Sequence, residues 1–300
     1  MIADLIKTAT TGDPGGARDT ARTLADPALL PEFRALFGRK LTAIERKIAY
    51  EFLDYLARNS RSPEVAAFLL ERLSAEKTEA IQLEILGTLR LLDGLDGHPL
   101  EPMLASTKPR VRQAAIQALG ACAGARPVEL LTDILRRSAG GEEMRVCAEA
   151  LARCGNEATA DAIIDELDGL ERTDQNMTAI LSLLVAISTL CGLRHRDWLR
   201  DQLSWRTDPI ERWLVLIGLT RIGTSEDCAL VAAQVETYLD KPTGPINLMT
   251  GHTRITHRTS FQVGISFLHR TCPDRFASIA TRAHAAKLPA EDRGLLETLR

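Results

Sequence analysis

Three aspartates near the middle of the chain have the spacing of one helix face. Asp161, Asp165 and Asp168 stand at i, i+4 and i+7, so a helix would present their carboxylates in a single row. Such a row attracts a cationic partner and accelerates its encounter with the protein. The spacing therefore predicts an acidic ridge that binds a basic protein surface, and a solvated helix face is the alternative.

The region nearer the C-terminus has the opposite charge. Residues 241–287 contain seven Lys or Arg residues, four histidines and a single acid, Asp274. A basic region of this kind binds phosphate or an acidic protein. Arg254 and Arg258 are its predicted partner contacts, with an ordinary polar surface as the alternative.

All three tryptophans lie within sixteen residues, at Trp198, Trp205 and Trp213. We expect most of this cluster to pack between helices, because large aromatic rings dominate buried contacts. Trp205 is nevertheless a candidate partner contact, since it stands beside Arg206 and Asp208.

Motifs for catalysis and for metal binding are missing from the sequence. It has no Gly-rich phosphate loop, no nucleophile elbow and no Ser-His-Asp order. His252 and His257 are five residues apart, and the spacing on to His269 fits no common metal site. The six cysteines form no Cys-x-x-Cys pair, and we expect reduced core thiols. The sequence thus predicts a protein that is not an enzyme and has no metal or cofactor.

The elements that position these residues recur along the chain. Residues 108–120 read KPRVRQAAIQALG, and degraded copies begin at Glu142, Asp174 and Asp208. Apolar anchors of the four copies are 32, 36 and 32 residues apart, which is within the range of helical repeats. Apolar residues recur at helical spacing, and no stretch alternates convincingly as a strand would. We therefore predict an all-α chain of stacked helix pairs.

Each predicted pair has a first and a second helix. First helices are expected near residues 41–58, 77–92, 109–122, 142–154, 174–191, 208–222 and 254–270. Second helices are expected near residues 63–75, 98–106, 127–137, 157–170, 195–204, 225–239 and 273–286. We expect a single domain with an N-terminal cap (1–38), repeats (39–239), and then a long loop, a last repeat and a C-terminal cap (240–300). The loop at 240–251 either folds onto the core or contacts a partner.

The segment 108–120 resembles the HEAT-repeat consensus, whose first helix opens with Asp-Pro-x-Val-Arg and closes with Ala-Leu-Gly. The matching positions are Pro109, Val111, Arg112, Ala114, Ala115, Ala118, Leu119 and Gly120. Asp208, Pro209 and Arg212 repeat the opening, and Arg145, Ala148, Ala150 and Leu151 repeat the interior one unit earlier. The resemblance covers about residues 40–290. It implies a right-handed α-α superhelix, a HEAT-like solenoid of about seven antiparallel helix pairs. In such folds second helices line the concave face, and these arginines tie neighbouring repeats together.

Two enzyme classes within that family can be compared with the sequence. Deoxyhypusine hydroxylase holds iron with His-Glu pairs, and no histidine here is followed by Glu. An AlkD-like DNA glycosylase is the alternative function, with Trp205, Asp208 and Trp213 as its local candidates. Overall acidity and the lack of Lys or Arg stripes on successive second helices argue against that nucleic-acid-binding class.

Composition narrows the function further. The formal net charge of −3 and the sequence pI near 6.1 exclude a surface that is basic throughout. No segment approaches the roughly 20 apolar residues of a membrane span, and we expect a cytoplasmic location. We predict a non-catalytic scaffold or adaptor that binds another protein, for example an inhibitor or immunity protein for a basic partner. The oligomeric state stays open.

Overall fold

The computed structural model describes residues 1–138, 140–240 and 260–299, together with the backbone of 248–250 and 253–255. Within these ranges the chain is all-α apart from one two-stranded sheet, so the predicted fold class is confirmed at this level. Contacts divide the chain into two compact units, Met1–Asp133 and Ile134–Arg300. Among the described residues, no helix has both the length and the apolar character that crossing a membrane requires.

The first unit contains eight helices and most of a ninth. They are α1 (Ile2–Thr11), α2 (Pro14–Ala21), α3 (Leu30–Phe37), α4 (Ala43–Ser60), α5 (Pro63–Ala75), α6 (Glu79–Leu89), α7 (Glu101–Leu104), α8 (Pro109–Leu119) and α9 (Ala125–Arg137). Short 3-10 turns at Pro27–Leu29 and His98–Leu100 precede α3 and α7. Helices α1 to α3 occupy the predicted N-terminal cap.

The second unit continues with nine further helices among its described residues. They are α10 (Gly141–Cys154), α11 (Glu157–Gly169), α12 (Met177–Leu190), α13 (Arg196–Trp205), α14 (Pro209–Ile222), α15 (Cys228–Asp240), α16 (Ser260–Thr271), α17 (Pro273–Ala285) and α18 (Ala290–Thr298). Turns of 3-10 helix at Leu193–His195 and Ser225–Asp227 precede α13 and α15. Between α15 and α16, β1 (Leu248–Thr250) pairs antiparallel with β2 (Thr253–Ile255).

Most predicted helices lie within a few residues of the observed ones, and the clear error is near residue 254. We expected a loop through 251 and a helix from 254, but Thr253–Ile255 is a strand and α16 begins at Ser260. Thr253 and Ile255 are β-branched, which favours extended backbone. The rest of the predicted 240–251 loop lies outside the described residues except for its end in β1.

Local signals explain where the helices begin. At the start of α4 the Thr42 hydroxyl accepts the Glu45 backbone N–H at 3.2 Å, and the Glu45 carboxylate accepts the Thr42 N–H at 2.8 Å. This reciprocal capping box satisfies two donors that the helix itself leaves unpaired. Pro63 and Pro209 occupy first helical positions of α5 and α14, where a missing N–H costs nothing.

Within each unit, first helices pack against one another in sequence. In the first unit α6 contacts both α4 and α8, and in the second unit α12 contacts both α10 and α14. Second helices pack against the row of first helices. Helix α5 contacts α6, α11 contacts α12, and α13 contacts α14. Almost every residue from Ala179 to Ser188 in α12 is buried, as expected for a helix that is apolar on all sides.

Two of the three arginines of the repeat motif bond partners in their own helix pair. Arg145 pairs with Glu142 and Glu149 on its own helix, and Arg212 donates to Gln234 of the following helix. Among the described residues neither arginine bonds the neighbouring first helix, so the tie between repeats expected at these two positions is not seen. Side chains at both positions find carboxylate or amide oxygens closer in sequence. Arg112, the third of these arginines, donates to the carbonyl of Ser106 in the preceding repeat at 3.0 Å.

Glu76 is the buried acid of the first unit. It lies just after α5 and accepts hydrogen bonds from Tyr50 at 2.6 Å, Arg72 at 3.0 Å and Arg46 at 3.1 Å. Burial alone would raise the pKa of Glu76, but the bonds from Tyr50 and Arg72 and the charge of Arg46 lower it overall. An ionised carboxylate therefore fastens α5 to α4.

The cysteine prediction is partly wrong. Cys122, Cys147 and Cys191 are buried thiols outside any disulfide, as expected, and Cys154 is a half-buried one. Cys228 and Cys272, by contrast, are joined as a disulfide with their Cα atoms 6.4 Å apart. Their separation of 44 residues gives no local motif, and only the packing of α15 against α16 brings them together.

Glu84 on α6 is a half-buried carboxylate whose pKa is raised, whereas the pKa of Glu76 is lowered. Burial, and then the negative charges of Asp54 and Glu51, raise the pKa of Glu84 to about 7, against a small opposing effect of Lys47. The folded state thus binds the Glu84 proton more tightly than the unfolded chain does. Ionisation of Glu84 therefore reduces stability as the pH rises from the ordinary value toward 7.

We predict that Glu84→Gln removes this loss. The variant should unfold with a free energy about 1–3 kcal/mol higher than the wild type at pH 8 and nearly equal to it at pH 4.5. Urea unfolding of both proteins across this pH range measures the difference. Glu79→Gln on the same helix controls for deleting a charge from α6, and parallel wild-type and Glu84→Gln curves would contradict the prediction.

Candidate acid and tryptophan binding surface

The predicted acidic ridge lies on α11 and faces outward. Asn156 caps the start of this helix, and Ile163 and Leu167 bury its inner face. Because the ridge residues lie away from that face, the side chains of Asp161, Asp165 and Asp168 are all exposed. The structure thus places the three carboxylates in one exposed row.

Asp161 ties α11 to the next second helix. It accepts a 2.8 Å hydrogen bond from Nε2 of His195 and a 2.6 Å bond from Nη2 of Arg194. His195 is buried, and its Nδ1 accepts the backbone N–H of Gly192 at 2.9 Å, so the ring proton lies on Nε2. Half of the Asp161 side chain remains exposed, which leaves it open to a partner as well.

Asp168 makes a second contact with α13, whereas Asp165, which lies between Asp161 and Asp168, makes none among the described residues. Trp198 donates from Nε1 to Oδ2 of Asp168 at 3.2 Å. Among the described residues Asp165 has no hydrogen bond or ion pair through its side chain. Asp165 is therefore the member of the row whose charge is not compensated within the chain.

The adjoining face of α13 carries two tryptophans and a further acid. Trp198, Asp201 and Trp205 stand at i, i+3 and i+7, so they share one face of the helix. Trp205 is 48% exposed and Asp201 is exposed, while Trp198 is half-buried against Asp168. We refer to the following six residues as the acid–tryptophan surface: Asp161, Asp165, Asp168, Trp198, Asp201 and Trp205.

An ion triad around the buried Glu211 carboxylate holds Trp205. Glu211 has no solvent exposure, and its two oxygens accept hydrogen bonds from Arg172 and Arg206. The guanidinium carbons of Arg206 and Arg172 lie 4.7 and 5.7 Å from the centre of the Trp205 ring, within the range of cation–π contacts. Gln202 accepts a further hydrogen bond from Arg206 at 2.8 Å, so Arg206 is bonded to both Gln202 and Glu211.

Burial affects Arg206, the buried arginine of this triad. It lowers the pKa of Arg206, and the hydrogen bond and charge of Glu211 oppose that change. Removing Glu211 would therefore leave a guanidinium in the core without its counter-charge. Such a group is costly, because a buried charge needs both a partner and hydrogen bonds.

The chemistry of the surface suits a cationic ligand. Carboxylates form charge-assisted hydrogen bonds with Lys and Arg, and Trp is the best aromatic acceptor for a cation. The six residues include no hydroxyl, thiol or amine that could act as a nucleophile. Over the described part of the chain, no group of three His, Cys, Asp or Glu side chains is placed to hold a metal. The arrangement therefore supports binding of a cationic ligand.

The six predicted contact residues are thus divided. Asp161, Asp165, Asp168 and Trp205 lie on the acid–tryptophan surface. Arg254 lies in β2, with its Cα opposite Met249 of β1, and its side chain is not among the described atoms. Arg258 lies outside the described residues.

The residues expected to serve a glycosylase do not form a site. Trp213 is completely buried, so its ring cannot contact a nucleobase. Asp208 accepts the backbone N–H groups of Ile210 and Glu211 at 2.9 and 3.0 Å, which makes it the N-terminal cap of α14. Only Trp205 of this trio is exposed.

Part of the predicted basic C-terminal region is compensated locally. Arg282 on α17 donates to Asp240 at 2.6 Å and lies 3.8 Å from Glu236, so it pairs with α15. His269 packs edge-on against Phe276, with ring centres 4.9 Å apart. These contacts account for two of the basic side chains as parts of the helix packing.

Sequence reasoning missed Trp198 and Asp201 as surface residues. Their i, i+3, i+7 spacing with Trp205 was available in the sequence, but it could be seen as a face only after the start of α13 was known. Glu211 and Arg172 were missed because nothing in the sequence indicates that these charges are buried together.

No protein-family model matches this chain, and no curated protein is similar to it.

Two acids at the start of α14 provide a matched test of the triad. Glu211→Ala should lower the free energy of unfolding by about 3–5 kcal/mol, because it strands the Arg206 charge. Asp208→Ala, three residues earlier, should cost only about 1 kcal/mol, the usual value for a lost helix cap. Chemical denaturation of both variants checks the order, and equal losses would show that pairing with Arg206 adds nothing beyond the value of a helix cap.

Proposed function

We propose that this chain is a non-catalytic scaffold whose acid–tryptophan surface binds a basic segment of another protein. One observation carries the proposal, namely that an exposed Trp205 and the uncompensated Asp165 and Asp201 lie on adjoining faces of two neighbouring helices. Arginine or lysine side chains of a partner would pair with the carboxylates and pack on the indole. An inhibitor or immunity protein that masks a basic partner is the specific form of this proposal.

The proposed architecture is a HEAT-like, right-handed solenoid of helix pairs. Three contacts between neighbouring elements support it: Asp161 with His195, Asp168 with Trp198, and Arg172 with Trp205. They follow one another in the same order along α11 and along α13, as expected for second helices that run side by side. A row of parallel second helices would give a partner an extended surface.

The Trp205 indole is the expected centre of binding energy. Central Trp and Arg residues supply most of the affinity in protein interfaces, whereas exposed ion pairs at the rim contribute only about 0–1 kcal/mol each. Trp205 is oriented by Arg172 and Arg206 before a partner arrives, so little entropy is lost when it is covered. The acids around it would mainly increase the association rate and exclude acidic partners.

A nucleic acid is a poor match for this surface. Phosphates would meet the carboxylates of Asp161, Asp165, Asp168 and Asp201 with no row of cations between them. The AlkD-like alternative would then depend on Arg254 and Arg258, and no described contact favours it.

The proposal is tested by affinity capture from native lysate after nuclease treatment. The bait variant combines Asp165→Lys, Asp201→Lys and Trp205→Ala, which spares Asp161 and Asp168 because they bind His195 and Trp198. We expect a specific protein that the wild type retains to be lost with this variant. A short peptide of alternating Arg and Ser should bind the variant at least about tenfold more weakly than it binds the wild type.

A matched control makes the same reversal of charge elsewhere. Glu129→Lys with Glu297→Lys changes two exposed acids on α9 and α18 and should leave capture and peptide affinity intact. Capture that is equal for the bait variant and the wild type would contradict the proposed surface. Capture that disappears on nuclease treatment would favour the nucleic-acid class.

A further inference from the structure

The disulfide joins the ends of two antiparallel helices. Cys228 is the first residue of α15, and Cys272 directly follows α16 and stands at the N-terminal cap of α17. Further along the same pair, Val235 meets Gly264 and Tyr238 stacks on Phe261 at 5.9 Å. The disulfide therefore lies at the end of the pair opposite to the segment of chain that connects α15 to α16.

Packing alone brings the two cysteines within bonding range. A Cβ atom at Gly264 would collide with Val235, so the two helices approach more closely there than a larger residue would permit. The Cα distance of 6.4 Å between Cys228 and Cys272 lies within the ordinary range for a disulfide. The backbone positions of the two cysteines are therefore compatible with the bond.

Noncovalent contacts also hold this end of the chain, but through few polar groups. The buried Asp292 of α18 accepts hydrogen bonds from Tyr238 and Gln262, both at 2.7 Å. This carboxylate joins α18 to α15 and α16. Without the disulfide, the start of α15 would be linked to the start of α17 by packing alone.

Cys272 is the accessible member of this pair, since Cys228 is buried. Cys272 is half-exposed and lies at the start of α17, where small reagents can reach its sulfur. Burial raises the pKa of Cys147 and Cys191, and raises the pKa of Cys154 to about 11. Those three thiols are poor nucleophiles at neutral pH.

We propose that Cys228 and Cys272 are a redox-controlled clamp on the last helices, α16 to α18. In the oxidising direction the Cys272 thiolate attacks a low-molecular-weight disulfide such as oxidised glutathione, forms a mixed disulfide and releases one glutathione thiolate. The Cys228 thiolate then attacks Sγ of Cys272 and displaces the second. Two cysteine thiols are oxidised, one glutathione disulfide is reduced, and the two thiol protons pass through solvent to the glutathione thiolates. This inference is independent of the proposed function.

The test uses the intact wild-type chain, equilibrated with oxidised glutathione or with dithiothreitol. Alkylation under denaturing conditions, read by mass spectrometry, should show Cys228 and Cys272 protected only after oxidation. Reduction should lower the Tm by roughly 5–10 °C, because the bond closes a long loop. It should also increase limited proteolysis within residues 260–299 more than within 141–222.

Two variants complete the experiment. Cys228→Ser with Cys272→Ser should have the Tm of the reduced wild type in both buffers, and Cys154→Ser should keep the full redox response. If the double variant does not fold, the unmutated chain in the two buffers still decides the question. Alkylation of both cysteines after oxidation would overturn the proposal, as would a protected pair with unchanged Tm and proteolysis.

Discussion

The Glu211 carboxylate lies at a position that water does not reach, and two arginines of the second unit supply its hydrogen bonds. Its two guanidinium partners come from different places, Arg172 from the connection between α11 and α12 and Arg206 from the end of α13. Because an unpaired buried charge is so costly, α11, α13 and α14 are held in one register. That register sets the position of the Trp205 indole, and with it the proposed binding surface.

The same constraint recurs at other positions among the described helices. Glu76 accepts hydrogen bonds from Tyr50, Arg72 and Arg46 in the first unit. The fully buried Asp227 accepts hydrogen bonds from Arg196 and Arg200 of α13. Ala and Leu dominate the cores around these acids, and such apolar packing is not directional. We infer that each buried carboxylate selects one alignment of helices whose apolar faces would tolerate several.

Whether a feature could be predicted from the sequence depends on how far apart its residues lie along the chain. Helix positions were predictable, because apolar spacing and caps such as Thr42 with Glu45 are local. The row of Asp161, Asp165 and Asp168 was predictable for the same reason. Contacts across repeats were not, since the Trp198 bond to Asp168 and the Cys228–Cys272 disulfide join residues 30 and 44 positions apart. The helix expected at 254 failed where β-branched residues favoured a strand.

Hydrogen–deuterium exchange with and without a saturating peptide of alternating Arg and Ser is the most direct test of the central claim, that the adjoining faces of α11 and α13 bind a basic partner. The account predicts slower exchange in α11, in α13 and in the turn at Leu193–His195, with little change in the first unit. Protection confined to other helices, or none at peptide concentrations that saturate binding, would contradict it.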